Sequence, residues 1–135
     1  FYTQLSEDLF YRQGINYYLA AKLAWNADLD PDALLADYFN GFYGPAAEPM
    51  ERFWMGLEQA MIDWDGCSSY GLSDTSDAAF GPNVFTPEVM AEVGVALEDA
   101  EALAAGQGAY EERVALARKM YNETQSVLDD LRTDQ

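Results

Sequence analysis

Two apolar stripes in the second half of the chain constrain its fold most strongly. Between residues 87 and 104, and again from 110 to 131, apolar residues recur at alternating steps of three and four. That spacing places each stripe on one face of an α-helix. Because only Gly106-Gln107-Gly108 separates the two stripes, the sequence predicts an antiparallel helical hairpin with coiled-coil-like packing. The stripes consist of Met90, Val93, Leu97, Ala100 and Ala104 in one helix and of Tyr110, Val114, Ala117, Tyr121, Thr124, Leu128 and Leu131 in the other.

Pairs of a capping residue and a proline mark the starts of two helices. Asp30-Pro31 and Thr86-Pro87 each combine a side chain that caps helix N-termini with a proline at the first helical position. Asp32 adds a negative charge at the positive end of its helix dipole. Gly44 stands where that helix is expected to end in a left-handed conformation.

Further helices are predicted on both sides of the one that starts at Pro31. Apolar spacing indicates a helix from Gly14 to Trp25 and another after Pro45, whereas residues 66–85 lack a sustained period and predict a long loop. No segment is a convincing strand, so the fold class is all-α: a bundle of about five helices with a C-terminal antiparallel hairpin. The expected core of the first three helices comprises Ile15, Tyr18, Leu19, Leu23, Leu34, Leu35, Tyr38, Phe39, Phe42, Met50, Phe53, Trp54, Leu57, Met61 and Trp64.

The charge balance argues against two classes of partner. The chain carries 24 acidic and 7 basic residues, for a net charge of −17. Such a surface repels phosphate backbones and anionic membranes. No apolar run approaches the length of a membrane span. We therefore predict neither a nucleic acid nor a membrane as partner.

The residue types present also limit metal and nucleophile chemistry. The chain has no histidine, and Cys67 is its single cysteine. The three aspartates between residues 26 and 33 have the spacing of the first ligands of a calcium loop. That loop requires Gly and Glu where this sequence has Ala33 and Phe39. Helix capping accounts for Asp30 and Asp32, so we predict no metal at Asp28, Asp30 and Asp32, and no cofactor.

Two adjacent acids near the N-terminus are the weak catalytic candidates. Glu7 and Asp8 follow Ser6, and paired carboxylates perform acid–base catalysis in glycosidases. The same three residues also have the pattern of a helix start, with a serine cap and two acids in the first turn. Both interpretations remain open, because sequence does not give the separation of the carboxylates.

Aromatic residues along the first helix are the candidates for substrate binding. Tyr11, Tyr17 and Trp25 lie on that helix or its approach, and exposed flat rings can stack on sugars. Aromatic residues at helical spacing also form cores. Tyr17 is the less certain core member, because Tyr18 already occupies the neighbouring buried face.

A longer stretch resembles a known module. The sequence "GINYYLAAKLAWNADLDPDALLADYFNGFYGPAAEPMERFW" resembles the region after the catalytic barrel in a family of large bacterial glycoside hydrolases, once described only as a domain of unknown function. That family is related to the endo-β-N-acetylglucosaminidases of glycoside hydrolase family 163. The resemblance covers about a third of the chain. The motifs that carry it are Tyr17-Tyr18, Trp25-Asn26, Asp28 to Asp32, and Tyr43 to Ala47.

The resemblance implies a place within a larger enzyme. Residues 1–25 would be the tail of a (β/α)₈ barrel, including its last helix, and residues 26–135 a C-terminal helical domain. The partners would then be a catalytic barrel upstream of Phe1 and, through the parent enzyme, a glycan substrate. The location would be secreted or extracytoplasmic. Because the catalytic acids of such barrels lie at strand ends, this chain alone is not expected to hydrolyse glycans.

Three hypotheses of function follow. The leading one is a non-catalytic helical segment of a glycan-degrading hydrolase that buttresses the catalytic barrel. A second is a free-standing helical module that binds carbohydrate through exposed aromatic residues. A third is a protein-interaction module whose hairpin, residues 87–131, pairs with another chain. The sequence that precedes Phe1 would distinguish the first from the second.

Overall fold

The structure is a computed structural model, and it describes residues 10–66 and 80–133. Its described part contains helices and no strand, which confirms the all-α fold class. A 3-10 turn, Gly44–Ala46, connects the second helix to the third. The five longer helices of the described residues are α1 (Phe10–Trp25), α2 (Pro31–Tyr43), α3 (Ala47–Asp63), α4 (Pro87–Ala104) and α5 (Ala109–Thr133).

One apolar core lies between the last four helices. The most extensive helix pair is α3 with α4, and α4 also packs along α5. α2 contacts α3 and α5, while α1 packs outside on α2 and α5. The buried core residues are Phe39, Tyr43, Ala46, Met50, Phe53, Met90, Val93, Ala96, Leu97, Ala100, Ala104, Val114, Ala117, Met120 and Leu128.

The predicted hairpin of α4 and α5 is confirmed. An ion pair of 2.7 Å joins Arg118 to Glu101, and further along α5 the Tyr121 hydroxyl donates to the Met90 carbonyl at 2.9 Å. The earlier residue of α5, Arg118, thus contacts the later residue of α4, Glu101, and the later Tyr121 contacts the earlier Met90. The two helices therefore run antiparallel. All five members of the predicted α4 stripe are buried. Gly94 permits the close approach, because a Cβ there would lie 2.8 Å from the Tyr121 hydroxyl.

Both ends of α2 follow the predicted chemistry, with one difference. A side-chain oxygen of Asp30 accepts from the Asp32 amide at 3.0 Å, which is the expected cap. Gly44 has the expected positive φ of 54°, but its ψ of −118° lies outside the left-handed helical region. A Cβ on Gly44 would lie 2.6 Å from the ring of Tyr110. Glycine is thus required there by both the dihedral angles and the neighbouring ring.

Helix boundaries differ from the sequence prediction in two places. α1 is already helical at Phe10, four residues before the predicted start at Gly14. Residues 80–84 are helical and include the buried Val84, although they fall inside the predicted loop 66–85. The described residues of this segment are few and show no sustained apolar period in the sequence. Residues 67–79 of that loop, with Cys67, lie outside the described residues.

The prediction of the α3 core was correct at its start and wrong at its end. Met50 and Phe53 are buried as expected. Met61 is 52% exposed, and α3 ends at Asp63, so Trp64 is not on the helix. The Trp64 ring instead contacts Phe80 edge-on, with 4.9 Å between the ring centroids. Neither Met61 nor Trp64 belongs to the described core cluster.

Two glycines of α2 and its C-terminus provide a matched test of this junction. Gly44→Ala should lower the free energy of unfolding by about 1–3 kcal/mol, because its backbone conformation is strained for alanine and the Cβ meets Tyr110. Gly41→Ala should raise it by about 0.5–1 kcal/mol, because that helical position has nothing within 4 Å of the Cβ. Urea denaturation measures both, and an unchanged stability of Gly44→Ala would contradict the described junction.

Candidate functional site

An aromatic cleft lies where α1 crosses α2 and α5. Its volume is about 460 Å³, which lies within the range of small-molecule sites. Tyrosine and phenylalanine rings form most of its surface. The lining residues are Gly14, Tyr17, Tyr18, Tyr38, Phe42, Tyr43, Arg113 and Leu116.

Rings of α2 form one wall of this cleft. Tyr38 and Phe42, four residues apart on one helical face, stack with 5.1 Å between centroids and 13° between planes. Tyr43 meets Phe42 edge-on at 5.0 Å. Gly14 allows α1 to cross this wall, because a Cβ there would lie 3.0 Å from the Tyr38 hydroxyl. The wall therefore depends on the spacing of the aromatic side chains on α2 and on the glycine of α1 that packs against it.

A hydrogen bond lies behind the wall. The Trp54 indole donates to the Tyr43 hydroxyl at 3.0 Å. Because an indole N–H only donates, the Tyr43 oxygen is the acceptor of this bond. Burial raises the pKa of Tyr38 to about 12, and it also raises the pKa of Tyr43. Both phenols are thus neutral hydrogen-bonding groups at ordinary pH.

Tyrosines of α1 form the rim, and their hydroxyls are already bonded. The Tyr18 hydroxyl donates to the Asp37 carboxylate, and this bond is the main reason why the pKa of Tyr18 is raised. The Tyr17 hydroxyl donates to the side-chain oxygen of Gln13 at 2.6 Å. The rim therefore presents ring surface to the cleft more than free polar groups.

Arg113 is the charged residue of the cleft lining. Its Nη1 donates to the Phe42 carbonyl at 2.8 Å, in the last turn of α2, where the helix dipole favours a cation. The guanidinium carbon lies 4.5 Å from the centre of the Phe42 ring. Each of the other arginines whose side chains are described forms an ion pair with a carboxylate, whereas Arg113 forms none with a described residue; those others are Arg52, Arg118 and Arg132.

The structure separates the residues that the sequence suggested for binding. Tyr17 lines the cleft. Trp25 lies at the far end of α1, outside the cleft, and is 93% exposed. Glu7 and Asp8 lie outside the described residues, as does the side chain of Tyr11. The catalytic interpretation of the two acids therefore stays a prediction.

Sequence reasoning missed the cleft residues of the other two helices. Tyr38 and Phe42 were assigned to the core, and they are partly buried against it, but each also lines the cleft. Arg113 was not singled out. A signal was available, because Arg113 is a basic residue three positions after Tyr110 in a very acidic chain. Its contact with Phe42, 71 residues away in the sequence, cannot be predicted from local periodicity.

Two classes of site are absent from the described ranges. Within residues 10–66 and 80–133, no three His, Cys, Asp or Glu side chains come together as a metal site. None of the helices described is long and apolar enough to cross a membrane.

Comparison with known proteins gives one match. The model of a family described as "Domain of unknown function (DUF4838)" matches residues 6–55. The match includes α1, α2 and the first half of α3, and so two of the three helices that line the cleft. No curated protein and no solved structure matches the chain. The similarity is thus confined to the part that carries the aromatic helix, the aspartate-rich joint and the Gly44 turn.

The tyrosine wall predicts a loss of stability at alkaline pH. Because the pKa of Tyr38 in the folded chain, about 12, exceeds the value of about 10 for an exposed tyrosine, the unfolded chain releases this proton first. The contribution of Tyr38 is complete below pH 10 and is lost between about pH 10 and 12. Tyr38→Phe should therefore lose less stability than the parent between pH 9 and pH 11, as measured by urea denaturation. An equal loss in both chains would contradict the assignment.

Proposed function

We propose that this chain is a non-catalytic helical segment of a glycan-degrading glycoside hydrolase, and that it packs beside the catalytic barrel of the parent enzyme. The observation that carries the proposal is the exposed aromatic end of α1. Trp25 is 93% exposed, and its large apolar ring offers a contact area that a second surface could cover. α1 also lies within residues 1–25, the stretch that the resemblance assigns to the tail of that barrel.

The arrangement along α1 supports a docking role. Tyr18 and Trp25 are seven residues apart and so lie on one side of the helix. Leu19 and Leu23 on the next face are half-buried rather than enclosed. Together these residues give α1 aromatic and apolar surface that the described bundle leaves uncovered in part.

The composition of the cleft favours a binding role or a structural role over hydrolysis. Glycosidases use two carboxyl groups on opposite sides of the scissile bond, and no carboxylate belongs to the described lining of this cleft. A phenol with a pKa of about 12, as in Tyr38, is a poor general base near neutral pH. The catalytic acids of the parent enzyme would accordingly lie on its barrel.

The position of the family match supports the same assignment. It covers residues 6–55, the part of the chain that contains the motifs on which the proposed resemblance to glycoside hydrolases of the family 163 type rests. The proposed partners are the barrel itself and, through the parent enzyme, a glycan.

A second candidate function is sugar binding by the free-standing domain through Trp25. Its exposed ring could stack on a sugar as flat aromatic side chains do. This alternative predicts that glycan binds the 135-residue chain itself and that Trp25→Ala removes the binding, whereas the docking role predicts no such binding.

The test compares the 135-residue chain with the parent chain that includes the proposed barrel. Only the parent chain should hydrolyse N-glycan or β-N-acetylglucosaminide substrates, and amide hydrogens of residues 14–25 should exchange more slowly in it. Trp25→Ala should destabilise the parent chain by about 1–2 kcal/mol. Val95→Ala, an exposed apolar residue on α4, is the control and should have little effect.

Two results would overturn the assignment. One is hydrolysis by the 135-residue chain that Glu7→Gln or Asp8→Asn abolishes, because it would place catalysis on those acids. The other is equal exchange of the α1 amides in both chains, because it would show that no barrel covers this helix.

A further inference from the structure

We infer that the cleft between α1, α2 and α5 is a binding site for a small aromatic carboxylate, whose ring lies against the Tyr38–Phe42 wall and whose carboxylate meets Arg113. The inference rests on the geometry of the cleft and does not depend on the proposed place of the chain in a glycoside hydrolase. Three properties of the described cleft support it: a guanidinium with unused donors, walls of ring surface, and hydrogen bonds that already engage three of the four lining tyrosine hydroxyls.

The guanidinium of Arg113 has donors to spare. It has five N–H groups, and among the described residues the Phe42 carbonyl is its hydrogen-bond acceptor. The end of the α2 dipole offsets only about half of its unit charge. A carboxylate can accept two parallel hydrogen bonds from a guanidinium. A bound carboxylate would therefore use N–H donors of Arg113 that the described residues leave free and would neutralise its positive charge.

The walls are suited to a flat apolar ring. Tyr38 and Phe42 are nearly parallel, and Leu116 adds an aliphatic surface on the opposite helix. A volume of about 460 Å³ accommodates one or two rings with a short side group. Because aromatic rings gain from offset or edge-on contact with other rings, an aromatic acid would use these walls more fully than an aliphatic one.

The bonded hydroxyls distinguish an aromatic acid from an acidic sugar. Three of the four tyrosine hydroxyls in the lining are engaged: Tyr17 donates to Gln13 and Tyr18 to Asp37, so neither proton is left for a sugar oxygen, and the Tyr43 oxygen accepts from Trp54. A sugar carries hydroxyl groups around its ring, and each one buried without a partner would cost free energy. An aromatic ring carries no such groups, so this cleft favours an aromatic acid.

The binding test uses three probes on the unmodified 135-residue chain at moderate salt, which screens the acidic surface. Cinnamate should bind with a dissociation constant of about 1 mM or below. It should shift the NMR signals of the Gly14 and Tyr17 amides and of the Arg113 side-chain N–H groups. Cinnamamide, which keeps the ring without the charge, should bind about tenfold more weakly. Glucuronate should show no saturable binding.

Charge variants at the cleft rim test the role of Arg113 without removing it. Leu116 is 44% exposed and lies three residues after Arg113, so the two share a helix face. Leu116→Glu should weaken cinnamate binding about tenfold by repelling the carboxylate, while Leu116→Gln should retain binding within about threefold. Leu103→Glu places the same charge at a residue that is 50% exposed on α4 and should leave binding unchanged.

Each contrary result has a clear meaning. The inference is overturned if cinnamate does not saturate, if cinnamamide binds as tightly as cinnamate, or if glucuronate binds as tightly as either. It is also overturned if Leu116→Glu, shown to be folded by its thermal melt, binds cinnamate as the parent does. The comparison of the three probes needs no variant, so the test stands even if a substitution prevents folding.

Discussion

The rest of the structure depends on how α2 ends. At this point the chain must leave one helix, turn, and begin α3 within the three residues Gly44–Ala46. The last carbonyl groups of a helix lack partners of their own. Here the Gly44 amide donates to the Asn40 carbonyl, and the Arg113 guanidinium of α5 donates to the Phe42 carbonyl. The end of α2 is therefore completed by a residue that lies far away in sequence.

This junction also fixes how α5 begins against α2. The ring of Tyr110 fills the space that a side chain on Gly44 would occupy. One turn later the Arg113 guanidinium lies over the Phe42 ring. α5 is thus held against the end of α2 by a ring and by a cation. Tyr43, the last residue of α2, is only 2% exposed as a result, although it borders a turn.

The cleft is a consequence of the same arrangement. α1 packs on both α2 and α5, but it does so across a junction already filled by rings, and Gly14 marks the point of closest approach. The space left between the three helices is lined by aromatic residues and by Arg113. The acceptor that positions Arg113 is a backbone carbonyl and not a carboxylate. For this reason its charge stays available in a chain where acids greatly outnumber bases.

Local signals in the sequence were sufficient for most of the fold. The caps at Asp30 and Thr86 and the buried stripe of α4 are as predicted, because each depends on residues within one or two turns. The early start of α1 and the helical residues 80–84 were missed, since neither stretch shows a sustained apolar period in the sequence. The cleft was not foreseen beyond Tyr17. To predict the cleft, one must know that Arg113 contacts Phe42. Residue spacing within a helix does not predict contacts between helices so distant in sequence.

The most direct test of the account is the NMR chemical shift of the α-protons of Gly44. The Tyr110 ring lies against one of them, so that proton should appear well upfield of its partner because of the ring current. Tyr110→Leu should return it to the ordinary range, and Arg113→Met should move it in the same direction by loosening α5 from the end of α2. Two unshifted α-protons in the parent chain would contradict the claim that this junction organises the bundle and its cleft.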